Sequence, residues 1–142
     1  MEQSRLERIN ALSRTIIGAA IEVHNNLGPG LLESVYEDCL KGELELKGLH
    51  VKTQVNIPLI YKGVDTKKNL RIDMLVEDEV IIELKAVESL QKIHEVQLVT
   101  YMKLTGKPLG LLINFNVLML KDGIRRKVNG LYEYNGIKPI RN

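Results

Sequence analysis

Three side chains between Arg71 and Lys85 could do chemistry together: Asp73, Glu83 and Lys85. The stretch divides into two apolar runs, 72–76 and 80–84, joined by the acidic triplet Glu77-Asp78-Glu79. Short aliphatic runs rich in β-branched residues are strand candidates, and their close spacing predicts an antiparallel hairpin. With the triplet as the loop, Val76 pairs with Val80 and Asp73 falls opposite Glu83. Directly opposed side chains share a face about 5 Å apart. Lys85 returns to that face because strand side chains alternate. A Glu83–Lys85 pair alone reads equally well as a salt bridge. Adding Asp73 leaves two carboxylates facing one lysine, a negative surplus that Mg²⁺ or Mn²⁺ would neutralise with oxygen ligands and retained waters. The chemistry this fits is phosphodiester hydrolysis, with a divalent ion polarising the phosphoryl group and the lysine orienting water or stabilising developing charge.

The elements that must hold these residues are legible in the hydrophobic period. Leu6, Ile9, Leu12, Ile16, Ile17, Ala20 and Val23 or His24 recur at helical spacing, so a first amphipathic helix is expected over about 6–27, stopped by Gly28-Pro29-Gly30. A second helix is expected from Leu31 or Leu32 to Lys47, with Leu32, Val35, Cys39, Leu40 and Leu44 or Leu46 inward. Val51 to Tyr61 then alternates as a half-buried strand, and Pro58 within it points to an edge or a bulge. Residues 62–65 read as a turn. After Lys85 a helix is expected over about 88–105, with Leu90, Ile93, Leu98, Tyr101 and Leu104 inward and Gly106-Lys107-Pro108 ending it. The apolar run 109–115 suits a strand covered on both faces. Segments 117–120 and 124–128, flanking Lys121-Asp122-Gly123, read as a short hairpin, and the tail from 129 on as loosely docked. No internal repeat or flexible linker interrupts the chain. It therefore reads as one α/β domain, 1–142, with a core over about 5–128 and a mixed central sheet flanked by helices.

Composition narrows the function. The chain has 142 residues, 44% hydrophobic and 27% charged, as in globular domains, and no apolar run long enough for a bilayer. Its N-terminus lacks the apolar stretch of a signal peptide. With one cysteine it has neither an internal disulfide nor a multi-cysteine zinc site. These features predict a cytoplasmic protein with no membrane partner. A net charge of +2 marks no global nucleic-acid field, and the absence of Trp with a single Phe argues against a base-stacking surface. Nucleic-acid contact would rest on local clusters: Lys67, Lys68 and Arg71, and Lys121, Arg125, Arg126 and Lys127. Nothing resembles a phosphate-binding loop.

Asp73 followed by Glu83-Leu84-Lys85 resembles the Asp…(Asp/Glu)-x-Lys core of the PD-(D/E)XK nuclease superfamily. Two further stretches sharpen the likeness. Gly30-Leu31-Leu32-Glu33-Ser34-Val35-Tyr36 is similar to the G-x-x-E-x-x-Y signature of a small prokaryotic family placed in that superfamily. Gln97-Leu98-Val99-Thr100-Tyr101 resembles the Q-x-x-x-Y motif of its RecB-like branch. The similarity runs from about Ile16 to Val128. One departure is Ile72, which stands where the superfamily motif has proline.

The resemblance implies a restriction-endonuclease-like fold and a metal-dependent nuclease using Mg²⁺ or Mn²⁺. By it, Asp73, Glu83, Glu33 and the backbone carbonyl of Leu84 hold the ion, Glu33 directly or through water. Lys85 stands at the attacking water and Gln97 holds the lysine or a substrate phosphate. Tyr36, Tyr101, Lys67, Lys68, Arg125 and Arg126 are the implied substrate contacts, and nucleic acid is the partner, DNA ahead of RNA. His24 has a counterpart in the family frame, in a supporting place only, and His94 could approach the same opening. The alternative function is a non-catalytic module that keeps the fold and binds nucleic acid or protein. The apolar first helix is compatible with a homodimer in either case.

Overall fold

Leu6, Ile9, Leu12, Ile16 and Val23 all lie buried along one side of a single long helix, α1 (Glu2–Leu27). Gly28, at φ 71°, ends it in the left-handed conformation that glycine adopts freely. The computed structural model describes residues 2–129. After α1 come α2 (Glu33–Leu46), β1 (Val51–Tyr61), β2 (Val64–Val76), β3 (Val80–Lys85), α3 (Lys92–Thr105), β4 (Leu109–Asn114), one 3₁₀ turn (Leu120–Gly123) and β5 (Ile124–Val128). The tail from residue 130, expected to be loosely docked, lies outside the described residues.

The strands form one sheet in the order β1-β2-β3-β4-β5. All neighbours are antiparallel except β3 and β4, which run parallel because α3 carries the chain back across the sheet. The sheet is therefore mixed, as expected. Both of its faces are covered. Met74, Val76, Val80, Ile82, Leu111 and Ile113 pack under α1 and α2. On the other face Leu75, Ile81 and Leu112 pack against Leu98 and Met102 of α3. Burial of such side chains is worth about 1.5–3 kcal/mol each, so the two layers fix α2 and α3 on opposite sides of β3.

The expected hairpin forms in the expected register, with Val76↔Val80, Leu75↔Ile81 and Met74↔Ile82. Each acid of its loop has a protein partner. Glu77 accepts the His50 N–H at 2.8 Å, Asp78 pairs with Lys107 at 3.1 Å, and Glu79 accepts from Arg8 at 2.9 Å. Beyond Met74 the two strands separate. There β2 pairs only with β1, where the register runs from Thr53↔Met74 to Val55↔Ile72 across Gln54, at φ 51°. The inward side chains change layer at this point: Val51 and Met74 belong to the α1/α2 core, while Val55, Ile57 and Ile72 pack on the α3 side. The positive φ of Gln54 breaks the regular pleat beside Asp73 without a change of register.

Four local expectations are corrected. First, α2 buries Tyr36, Leu40 and Leu44. Leu32 precedes the helix as its N-cap, and Leu32 and Val35 face outward; of the Leu44-or-Leu46 alternative the core takes Leu44, leaving Leu46 84% exposed. Second, α3 begins at Lys92, not near Glu88, because Asn114 pins the approach: its Oδ1 accepts the Val87 N–H and its Nδ2 donates to the Val87 carbonyl. Leu98, Val99 and Met102 are its buried residues, whereas Ile93 and Leu104 are exposed. Third, residues 64 and 65 begin β2 and do not form part of the turn; Lys62 and Gly63 alone make it, both at positive φ. Fourth, 117–120 is not a strand. β5 pairs with β4 instead, from Leu109↔Val128 to Ile113↔Ile124, and the 3₁₀ turn packs its Gly123 so tightly on the Asn114 carbonyl that a Cβ there would lie 2.2 Å from that oxygen.

Candidate active site

Where β2 leaves β3, the carboxylate of Asp73 fills the gap. Its Oδ2 accepts the Leu84 N–H at 2.9 Å, standing in for the strand carbonyl that an unbroken ladder would supply. A strand residue's N–H and C=O point to the same side, so the Leu84 carbonyl faces this gap too. The neighbouring Lys85 carbonyl is already taken by the Phe115 N–H at 2.9 Å. Glu83 and Lys85 leave β3 on the α3 side, following Ile81.

These residues line a polar pocket of about 280 Å³ with Glu33, Arg71, Gln97 and Tyr101. Glu33 enters from the first turn of α2, where an acid is favoured by the helix dipole. Gln97 and Tyr101 enter from α3 one turn apart, and the Gln97 amide donates to the Tyr101 hydroxyl at 3.1 Å. All five residues expected to be catalytic thus meet in one place.

The electrostatics are unusual at Glu83. Only 6% of this residue is exposed, and its Oε1 is buried without a hydrogen-bond partner. Burial, its hydrogen bond to Asp73 and the repulsion of that carboxylate push the Glu83 carboxyl up to about 9, against the pull of Lys85. An acid this costly to ionise stands ready for a positive partner. The donor set fits a hard divalent cation: two adjoining carboxylates, one of them with an orphaned oxygen, and a backbone carbonyl turned into the same gap. Among the described residues no group of three or more His, Cys, Asp or Glu could hold an ion by side chains alone. Glu33 lines the pocket but does not complete a three-acid cluster with Asp73 and Glu83. The remaining coordination would come from water and substrate, as is usual for Mg²⁺.

Other expected site residues lie elsewhere. Tyr36 is fully buried, stacked on Phe115 with ring centroids 4.4 Å apart. Its hydroxyl donates to the Gly28 carbonyl at 2.6 Å and accepts the Leu31 N–H at 3.1 Å. It therefore shapes the loop that launches Glu33 and does not line the pocket. Lys67 and Lys68 lie on the outer half of β2, about 20 Å along the strand from Asp73 at 3.3 Å per residue. On β5, Arg125 donates to backbone carbonyls of its own turn, and Arg126 turns to Asn10 and Ser13 of α1. Lys127 pairs with Glu95 at 2.8 Å. His24 bonds the Val117 carbonyl at 2.8 Å, and His94 accepts the Gln91 N–H as half of a capping box. Neither histidine lines the pocket.

Two supporting groups carry little signal in the sequence. Gln54, next to the irregularity in β1, donates to Glu37 of α2 at 2.7 Å, tying the Glu33 helix to the strand beside Asp73. Asn114 is visible only as the one polar residue in an apolar run. A larger groove of about 730 Å³ lies between α1 and α2, but none of its lining residues belongs to the acidic pocket.

A five-strand mixed sheet with helices on both faces, and an acid–acid–lysine set where two of its strands part, defines a restriction-endonuclease-like nuclease fold. The match of a family model to residues 10–127 agrees: the chain belongs to the PD-(D/E)XK nuclease superfamily. Nucleases of this superfamily generally use divalent metal ions. No curated protein and no solved structure matches the chain. Among the described residues, no helix is long and apolar enough to cross a membrane.

Proposed function

We propose that this protein is a metal-dependent nuclease that hydrolyses phosphodiester bonds of nucleic acid, DNA in preference to RNA, in the cytoplasm. The observation that carries the reading is Glu83, a buried carboxyl with an unpartnered oxygen pressed against the Asp73 carboxylate. Without a cation this acid keeps its proton against Asp73 and leaves a buried oxygen unsatisfied; a cation between the two carboxylates would neutralise both and engage that oxygen. Asp73, Glu83 and the Leu84 carbonyl would hold Mg²⁺ or Mn²⁺, with Glu33 acting through water. When bound, the ion supplies positive charge at the phosphoryl oxygen and lowers the pKa of water.

The chain's own residues do the rest. Lys85 holds the attacking water and stabilises charge as that oxygen adds to phosphorus and the bond to the leaving sugar oxygen breaks. Gln97 positions Lys85 or a phosphate oxygen, Tyr101 closes one wall, and Arg71 offers a further phosphate contact. Within the superfamily we assign the chain to the G-x-x-E-x-x-Y group and the RecB-like branch. The Tyr36 hydrogen bonds support this assignment, because they tie the signature's tyrosine to the loop that precedes its glutamate.

The test is a cleavage screen with Mn²⁺ on single-stranded, duplex, flap and RNA substrates, with Lys85→Ala as control, beside calorimetry of Mn²⁺ binding. Product from wild type alone is expected, together with Mn²⁺ binding that Glu83→Gln weakens. Equal product from Lys85→Ala, or no binding at millimolar metal, would sink the reading.

A further inference from the structure

From Pro58↔Asn69 outward, β1 and β2 continue as a ribbon of two strands, because β2 has parted from β3 at Met74. The ribbon ends at the tight Lys62-Gly63 turn. A register shift falls between Pro58 and Ile60, where Thr66 Oγ1 donates to the Leu59 carbonyl and Lys67 takes a left-handed φ of 61°. A bulge of this kind bends a ribbon and turns its side chains outward.

The ribbon's chemistry differs from that of the rest of the molecule. Between Asn56 and Arg71 stand four cations, Lys62, Lys67, Lys68 and Arg71, against the single acid Asp65, a net of +3 in a chain whose total is +2. The remainder of the protein carries a net charge of −1, so the chain's positive excess lies on this arm, where Lys67 stands 3.8 Å from Asp65. The tip is apolar and exposed: Ile60, Tyr61 and Val64 are 52%, 64% and 65% accessible. An isolated hydrophobic tip ringed by lysines is poorly explained as mere solubilisation. The base of the arm carries Arg71 and Asp73, both of which line the acidic pocket.

We infer that the β1–β2 arm is a duplex-DNA-binding element that enters the major groove and brings the adjoining backbone to the pocket. This rests on the nuclease reading of that pocket and names its substrate as double-stranded. The B-form major groove, about 12 Å wide, admits a two-stranded β-ribbon, whereas the A-form major groove is too narrow and deep for one. The lysines meet phosphates on either side, and the apolar tip meets base edges such as thymine methyls. Single strands are a poor fit, since Tyr61 is the arm's only aromatic residue and binding of single strands relies on repeated stacking.

The experiment is fluorescence anisotropy on labelled duplex DNA, single-stranded DNA and duplex RNA, without divalent metal, across a salt series. Three proteins are compared: wild type, the arm variant Lys62→Gln/Lys67→Gln/Lys68→Gln, and the surface control Lys103→Gln on α3. Thermal melts establish that each is folded, which exposed substitutions on the arm should leave unchanged. Wild type is expected to prefer duplex DNA. The arm variant should bind it at least tenfold more weakly, with the log–log salt slope reduced by about 2–3, while Lys103→Gln binds within about threefold of wild type. Unchanged affinity in the arm variant overturns the inference, as does preference for single strands or RNA, or no binding by wild type. Cleavage by wild type with Mn²⁺ is scored separately. Arm-dependent binding without cleavage would overturn the nuclease reading and leave the arm standing; cleavage that the arm variant retains in full would do the reverse.

Discussion

Glu83 is where stability and chemistry oppose each other. Its carboxyl is pushed up to about 9 from an ordinary 4.5, so the folded protein holds that proton more tightly than the unfolded chain does. Stability of the metal-free protein should therefore fall as pH rises from about 4.5 to about 9, then level off. Urea unfolding across this range should show the decline in wild type and a flatter profile in Glu83→Gln; identical profiles would mean that folding does not tighten the hold of Glu83 on its proton. Tyr36 makes the complementary case. Tyr36→Phe keeps the stack on Phe115 but strands the Gly28 carbonyl and Leu31 N–H. A loss of about 1–3 kcal/mol is expected, with lower kcat as Glu33 loses its fixed launch point. Denaturant titration and steady-state cleavage read the two effects.

At the scale of elements, the site depends on how closely α3 lies on the sheet. Gly110 of β4 makes that approach: a Cβ there would lie 2.5 Å from Met102 Sδ and 2.8 Å from Leu98 Cδ1. Gly110→Ala should lift α3, costing about 1–3 kcal/mol and withdrawing Gln97 and Tyr101 from the pocket. Calorimetric melting and cleavage rates should both drop; a variant with unchanged melting would show that the helix yields freely. Asn114→Ala, which removes the partners of Val87 and Asn116, should cost roughly 2–3 kcal/mol by the same melting assay. Such dependencies mark the boundary of what the sequence could reveal. Period and spacing were sufficient for the hairpin register, the edge character of β1, the two-faced burial of β4 and the C-terminal ends of α1 and α3. They failed where the decision was tertiary. Asn114 held 86–91 out of α3, and the edge of β4 captured the segment after Gly123. Tyr36, polar by type, won a core position over Leu32 and Val35 because Phe115 offered it a stacking face.

For the whole molecule, charge is divided by region. Three acids, Glu33, Asp73 and Glu83, meet in a recess between α2 and α3, and the chain's net positive excess lies on the arm. Association with DNA should be steep in salt even though the net charge is only +2. The arm should also be less protected than the sheet it grows from, because its outer half lacks a covering layer and strand partners beyond its own pair. Hydrogen exchange should label 58–69 well before 80–85 and 109–114; equal protection would mean that the arm is docked and not extended. The five expected catalytic residues were found together in part because the motif residues are carried on elements whose period is plain. The six expected substrate contacts were not, because exposed cations carry no periodic signal of where they point. Of the six only Tyr101 reached the pocket.

Asp73 has a second occupation, as the acceptor that closes the β3 ladder at Leu84, and this bears on how the lineage would record loss of function. A descendant that ceased to cut nucleic acid would still need an acceptor at position 73 to keep its sheet intact. Glu83 has no such protection: once the ion is dispensable, a buried unpaired carboxyl is a liability that drift toward a neutral residue would relieve. Lys85 would be equally free to change. On the mechanism proposed above, retention of Asp73 in a relative therefore says little about activity, whereas relatives that cleave should keep Glu83 and Lys85 together.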